Sequence, residues 1–208
     1  MMAIVVPGAW VAHYVEAAGS ESHMPHISRV ALAVAVVGLA TAASAQQPAQ
    51  RHVAVPTVPA RAEDVATLDG IIAAFYDVIS GPVGQPRQWA RDRSLYVPGV
   101  RFVSTGYGAA GDRDVHVMDH QTFVDDIDSA LVAEGFYETE IHRVTRRVND
   151  IAHVFSTYEM RRAPDAPVFG RGVNSIELFW DGTRWWIAGA VWIDEAPDHP
   201  IPADLLPR

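Results

Sequence analysis

The chain contains no cysteine, and its sixteen basic residues are all arginine. Without cysteine there is no thiol nucleophile, disulfide or thiolate metal site. Without lysine there is no Schiff-base chemistry, no lysine general base and no lysine for a phosphate-binding P-loop. Positive charge is scarce overall: twenty-five Asp and Glu give a formal charge of −9. With no basic excess and no Arg stripe interleaved with aromatics, the composition argues against nucleic acid as a partner. What is present is 208 residues, 49% of them hydrophobic, enough for one sizeable core and a tail.

Residues 24–45, MPHISRVALAVAVVGLATAASA, combine a basic start (His26, Arg29), an apolar run over 30–40, and Ala43-Ser44-Ala45 ahead of Gln46. The run is shorter than the ~20 residues a membrane span needs. This is the pattern of a secretory signal cleaved after Ala45, which predicts a periplasmic or secreted bacterial protein with no span in its mature form. Met24 is then the natural start, and residues 1–23 a mis-assigned start or a scar. Residues 46–62 are rich in Pro, Ala and Gln and read as a tether. The domain occupies residues 63–208.

Leu68, Ile71, Ile72, Phe75, Tyr76 and Ile79 follow the 3.6-residue period of one amphipathic helix over 63–80, stopped by Gly81-Pro82. A second helix is expected over 87–95. A third begins after Asp119 as N-cap and ends at Gly135. Strands are expected over 100–105 and 115–118, then over 136–148, 151–162, 168–180 and 184–194, an α+β arrangement. Taking Asn149-Asp150 and Asp181-Gly182 as two-residue turns sorts the last four strands into faces. The face toward the helices holds Tyr137, Thr139, Ile141, Ser156, Tyr158, Gly172, Asn174, Gly189 and Val191. The outer face holds Glu138, Glu140, His142, Phe155, Phe179, Trp186 and Trp192. The outer aromatics predict a homodimer across that face.

The stretches AAFYDVISGPVGQPRQWARDRSLYVPGVRF, FYETEIHRV and IAHVFSTYEMRRAPDAPVFGRGVNSIELFWDGTRWWI resemble the nuclear transport factor 2-like superfamily, in particular its SnoaL-like branch. The resemblance covers about residues 65–195. It implies a cone: a curved antiparallel sheet, as in a cystatin-like roll, wrapped around three helices from the N-terminal half, with an apolar cavity between them. Superfamily members include isomerases, dehydratases, hydrolases and proteins without assigned activity, so the resemblance implies no single reaction.

In the expected register the cavity has no Asp, Glu or His from the four long strands. Its polar groups are Tyr76, Tyr137, Ser156, Tyr158 and Asn174, which orient a ligand but make poor bases near neutral pH. The function read first is therefore an exported domain binding a small apolar molecule, with Gly172 and Gly189 leaving it room. The alternative is an isomerase, dehydratase or hydrolase at the same cavity. Its candidate acid/base groups are Tyr76, the pair His116 and Asp119, and, should the first hairpin slip, Glu140 with His142. Glu138, Glu140 and His142 share a strand face at ~6.6 Å spacing, which reads as a charged face rather than a metal site. No cofactor is expected.

Overall fold

The computed structural model describes residues 52–108 and 111–208; the expected signal segment and residues 46–51 of the expected tether lie outside the described residues. Two helical pieces, α1 (Ala62–Val65) and α2 (Leu68–Asp77), stand where one helix was expected. The break is at Thr67, which adopts extended backbone and caps α2 by accepting the Gly70 N–H at 2.9 Å. A short α3 (Trp89–Arg93) leads into the hairpin of β1 (Tyr96–Tyr107) and β2 (Arg113–Asp119). Asp119 then caps α4 (His120–Glu134) by accepting the Thr122 N–H at 2.8 Å, and Gly135, at φ 71°, ends it. A meander follows: β3 (Tyr137–Val148), β4 (Ile151–Arg161), β5 (Gly170–Trp180) and β6 (Trp185–Asp194).

The six strands form one sheet in the order β2-β1-β6-β5-β4-β3. This is the expected α+β roll with one correction: the sheet is mixed, because the meander returns β6 alongside β1 in the same direction. Helices α2 and α4 cover the concave face. Ile71 and Ile72 of α2 and Val124 and Leu131 of α4 pack in one core with Val154, Ile176 and Ile187 from the strands. Each such side chain contributes roughly 1.5–3 kcal/mol by leaving water.

Two β-bulges decide which residues reach that core. Asn149-Asp150 is the two-residue turn expected between β3 and β4, with Val148 opposite Ile151 and Arg143 opposite Ser156. The register then shifts between Glu140 and His142: His142 faces Thr157, Glu140 faces Tyr158, and Ile141 is the extra residue. From there toward the start of β3 the faces exchange, so Glu138 and Glu140 look inward while Tyr137 and Thr139 look outward. In β6 the same thing happens at Ala188. Leu178 faces Ile187 but Glu177 faces Gly189, which turns Ala190, Trp192 and Asp194 inward and Gly189 and Val191 outward. The β5–β6 loop itself spans Asp181 to Arg184 rather than two residues, and the Asp181 carboxylate organises it by accepting the Thr183 and Arg184 N–H groups.

Residues 52–61 form neither helix nor strand and lie against the rest of the structure. Asp125 accepts from His52 and from the Val53 N–H, Gln121 donates to the Val53 carbonyl, and Arg93 donates to that of Val55. At the other end the chain folds back after β6, and Thr157 on the outer face donates to the Leu205 carbonyl at 2.6 Å. Among the described residues no helix is long and apolar enough to cross a membrane.

Candidate active site

A cavity of about 120 Å³ opens between the concave face and α2 and α4. Its wall is mainly apolar, with Phe75, Phe102, Met118, Phe123, Met160 and Trp192. Phe102, Phe123 and Trp192 pack edge to face, with centroids 5.3–6.2 Å apart. Six polar side chains border the space: Tyr96, Asp126, Glu138, Tyr158, Asn174 and Asp194.

Glu138 and Asp194 were assigned outward or passed over in the sequence, and both are inside. Tyr158 donates to Asp194 Oδ1 at 2.6 Å. Asn174 Nδ2 donates to Glu138 Oε1 at 3.3 Å and to the Tyr76 hydroxyl at 3.2 Å. Both carboxyls are half-buried and border the cavity. Burial pushes Glu138 up to about 8, and the charge of Asp194 adds to the shift. Burial also holds Asp194 above the usual carboxylate range, with the Tyr158 hydrogen bond pulling the other way. Near neutral pH Glu138 is therefore mainly protonated, and Asp194 is the acceptor of the Tyr158 hydrogen bond.

The remaining sequence candidates fall in different places. Tyr158 and Asn174 line the cavity, while Tyr76 and Ser156 stand one layer behind it, their hydroxyls 2.6 Å apart. Burial pushes Tyr76 well above the ordinary phenol range, which removes it as a proton source near neutral pH. Tyr137 faces Arg161 on the outer side of the bulged strand, not the cavity. His116 is half-exposed and pairs with Asp114 at 2.9 Å, whereas Asp119 is the α4 cap opposite Arg101, so the two form no couple. Glu140 faces inward and His142 outward, so the bulge separates that pair as well. Glu140 is held by two hydrogen bonds from Arg143, at 2.8 and 2.6 Å, and accepts from Ser156. Trp192 lines the cavity and leaves Phe155, Phe179 and Trp186 on the outer face.

Gly172 leaves no free volume of its own. A Cβ there would sit 2.3 Å from the Tyr158 hydroxyl, so the missing side chain is what lets Tyr158 cross to Asp194. Among the described residues no group of three or more His, Asp or Glu is placed to hold a metal ion.

No family model matches the chain, and no curated protein matches it. Solved structures do. One is a Nostoc punctiforme protein of unknown function with a cystatin-like fold: 10% identity, 67% of this chain and 97% of that one covered, TM-score 0.48. Another is the beta subunit of a putative aromatic-ring-hydroxylating dioxygenase from Novosphingobium aromaticivorans, at 13% identity, 63% and 88% coverage and TM-score 0.47. A third is a putative ketosteroid isomerase from Shewanella frigidimarina, at 16%, 59%, 90% and 0.40. Others are described as NTF2-like proteins of unknown function. The fold resembles the nuclear transport factor 2-like proteins. At such identities and TM-scores the likenesses speak to no chemistry, which rests on the cavity's own residues.

Proposed function

We propose that the cone cavity is an active site that moves a proton on a small, uncharged, largely apolar carbonyl compound. The observation that carries this is the pair of carboxyls, Glu138 and Asp194, on a mainly apolar cavity whose burial raises both. Ionised Asp194 is the base that takes a proton from the carbon next to the carbonyl. Protonated Glu138 is the acid that hydrogen-bonds the carbonyl oxygen as negative charge develops there, a contact worth more in a cavity with little water. Return of the proton from Asp194 to the same or a conjugated carbon completes exchange or isomerisation, with no cofactor required.

Size narrows the substrate. A dry cavity of about 150 Å³ holds benzene, so about 120 Å³ suits a single ring or a short branched chain. Wild-type protein is expected to catalyse deuterium exchange from D2O into the α-carbon of ring-sized ketones such as cyclohex-3-enone, followed by NMR. Glu138→Gln and Asp194→Asn should each lower the rate by about 10²–10⁴. A wild-type rate equal to buffer across a panel of such ketones removes the proposal.

A binding module without catalysis was the reading preferred from the sequence. It rested on a cavity free of carboxyls, and the two bulges remove that premise. The location and assembly that belong to this reading are a mature protein beginning at Gln46 outside the cytoplasm and a homodimer across the outer face. Supporting the dimer, one row of outward residues crosses all six strands: Val117, Val103, Val191, Ser175, Phe155 and Val144. Val117, Val191 and Phe155 in that row are exposed at 69%, 43% and 38%. N-terminal sequencing of the exported protein checks the cleavage site; a start other than Gln46 overturns it.

A further inference from the structure

The cavity acid is attached to the outside of the molecule by an unbroken string of hydrogen bonds. From Glu138 the string runs through Asn174, Tyr76 and Ser156 to Glu140, which Arg143 holds; Arg143 in turn bonds Asp69 at 2.6 Å. Tyr76, Ser156 and Asn174 are all buried.

We infer that Glu140 is a positioning residue, which acts through Ser156 and Tyr76 to turn the Asn174 amide with its hydrogens toward Glu138. The inference deepens the proton-transfer reading and rests on it, because it concerns what holds the acid of that reaction.

The direction of the string follows from its far end. A carboxylate paired with a guanidinium offers only acceptors. Ser156, whose hydroxyl touches Glu140 Oε1, therefore gives its single hydrogen to Glu140. That leaves Ser156 only lone pairs for its neighbour 2.6 Å away, so the Tyr76 hydroxyl donates to Ser156. Tyr76 in turn has only an acceptor to offer, and the atom it meets at 3.2 Å is Nδ2 of Asn174. The second hydrogen of the same nitrogen reaches Glu138 Oε1. Each hydroxyl has one hydrogen, so fixing the first link fixes all of them.

Direction matters to Glu138. With Nδ2 facing it, the ionised form of the acid keeps a donor. With the amide reversed, Oδ1 would lie between Tyr76 and Glu138 and accept from both, which favours the protonated acid. The other groups facing Glu138 do not reproduce this effect. Tyr76, Tyr96 and Tyr158 are phenols raised by burial and stay neutral through the range. Asp194 and Asp126 border the same cavity from β6 and α4, and changing Ser156 removes neither.

The test reads Glu138 itself, by NMR titration of the full chain with 13C-labelled glutamate. Ser156→Ala removes the link without altering any charge, and the Glu138 midpoint should rise by about one pH unit. Glu140→Ala separates direction from field. Loss of a nearby negative charge acting through space would lower the midpoint, whereas release of the string raises it. In a Tyr76→Phe background the Ser156→Ala shift should vanish, since there is no hydroxyl left to redirect. A midpoint that falls or stays in both single variants overturns the inference, as does a Ser156→Ala shift that persists with Tyr76→Phe. The two proposals fail separately: shifts without catalysed exchange in the wild type leave the positioning role and remove the reaction, and exchange without shifts does the reverse.

Discussion

Strands β4 and β5 lie inside the sheet and pair without interruption over ten residues of register, whereas β3 and β6, which flank them, each carry a bulge. The regular strands supply a neutral wall, with Tyr158 and Asn174, and Ser156 behind it. The bulged strands supply the acids, Glu138 and Asp194. The difference teaches that scaffold and chemistry are divided between strands here: a single extra residue re-aims a run of side chains without disturbing the neighbouring ladder.

The sharpest way to break that comparison is to exchange one residue on each side of the β3 alternation. Glu138→Arg forces a longer side chain into the cavity wall and removes the acceptor of the Asn174 amide, and should cost about 3 kcal/mol. Thr139→Arg, on the exposed side, should stay within about 0.5 kcal/mol. Urea denaturation measures both. If Thr139→Arg were the damaging change, Ile141 would not be a bulge and the acids would face outward.

The next effect contrasts the two glycines. At Gly172 an added Cβ would lie 2.3 Å from the Tyr158 hydroxyl and 2.6 Å from the Ile193 carbonyl, while at Gly189 its nearest neighbour is the Arg101 carbonyl at 3.5 Å. Gly172→Ala should therefore cost about 1–3 kcal/mol and part Tyr158 from Asp194, lowering deuterium exchange as well as stability. Gly189→Ala should leave both unchanged. Equal effects at the two positions would place both glycines on one face, against the Ala188 bulge.

Much of the fold was legible because its signals are local. The Asp119 cap, the Gly135 stop and the Asn149-Asp150 turn are each specified by one or two residues whose backbone or side-chain chemistry has few alternatives. On β4, alternation separates Ala152, Val154, Ser156 and Tyr158 from His153, Thr157 and Glu159. The site was not legible for the same reason in reverse. In Tyr137-Glu138-Thr139-Glu140 both faces are polar, and in Ile187-Ala188-Gly189-Ala190-Val191-Trp192 both are apolar, so neither run has the contrast that fixes a register. A single extra residue in each went unmarked, and with it the acids Glu138 and Asp194. One signal was available: Asp194 closes an apolar run on which an isolated carboxylate has no obvious surface partner.

A last contrast, spread over pH, separates the cavity acid from the arginine-paired one on the same strand. Glu138 is lifted by burial from 4.5 to about 8, so the folded protein binds a proton there that the unfolded chain has released. Stability falls wherever the folded state binds more protons as pH rises. The contribution of Glu138 is therefore full below about pH 4.5 and declines steadily to about pH 8, with no further loss above. The thermal midpoint of the wild type should fall across this window, and Glu138→Gln, which has no proton to lose, should flatten the slope. Glu140→Gln should retain it, because Glu138 still titrates in that variant. If the wild type shows no decline between pH 5 and 8, Glu138 is not an acid enclosed by the cone, and the contrast between plain and bulged strands loses its chemical meaning.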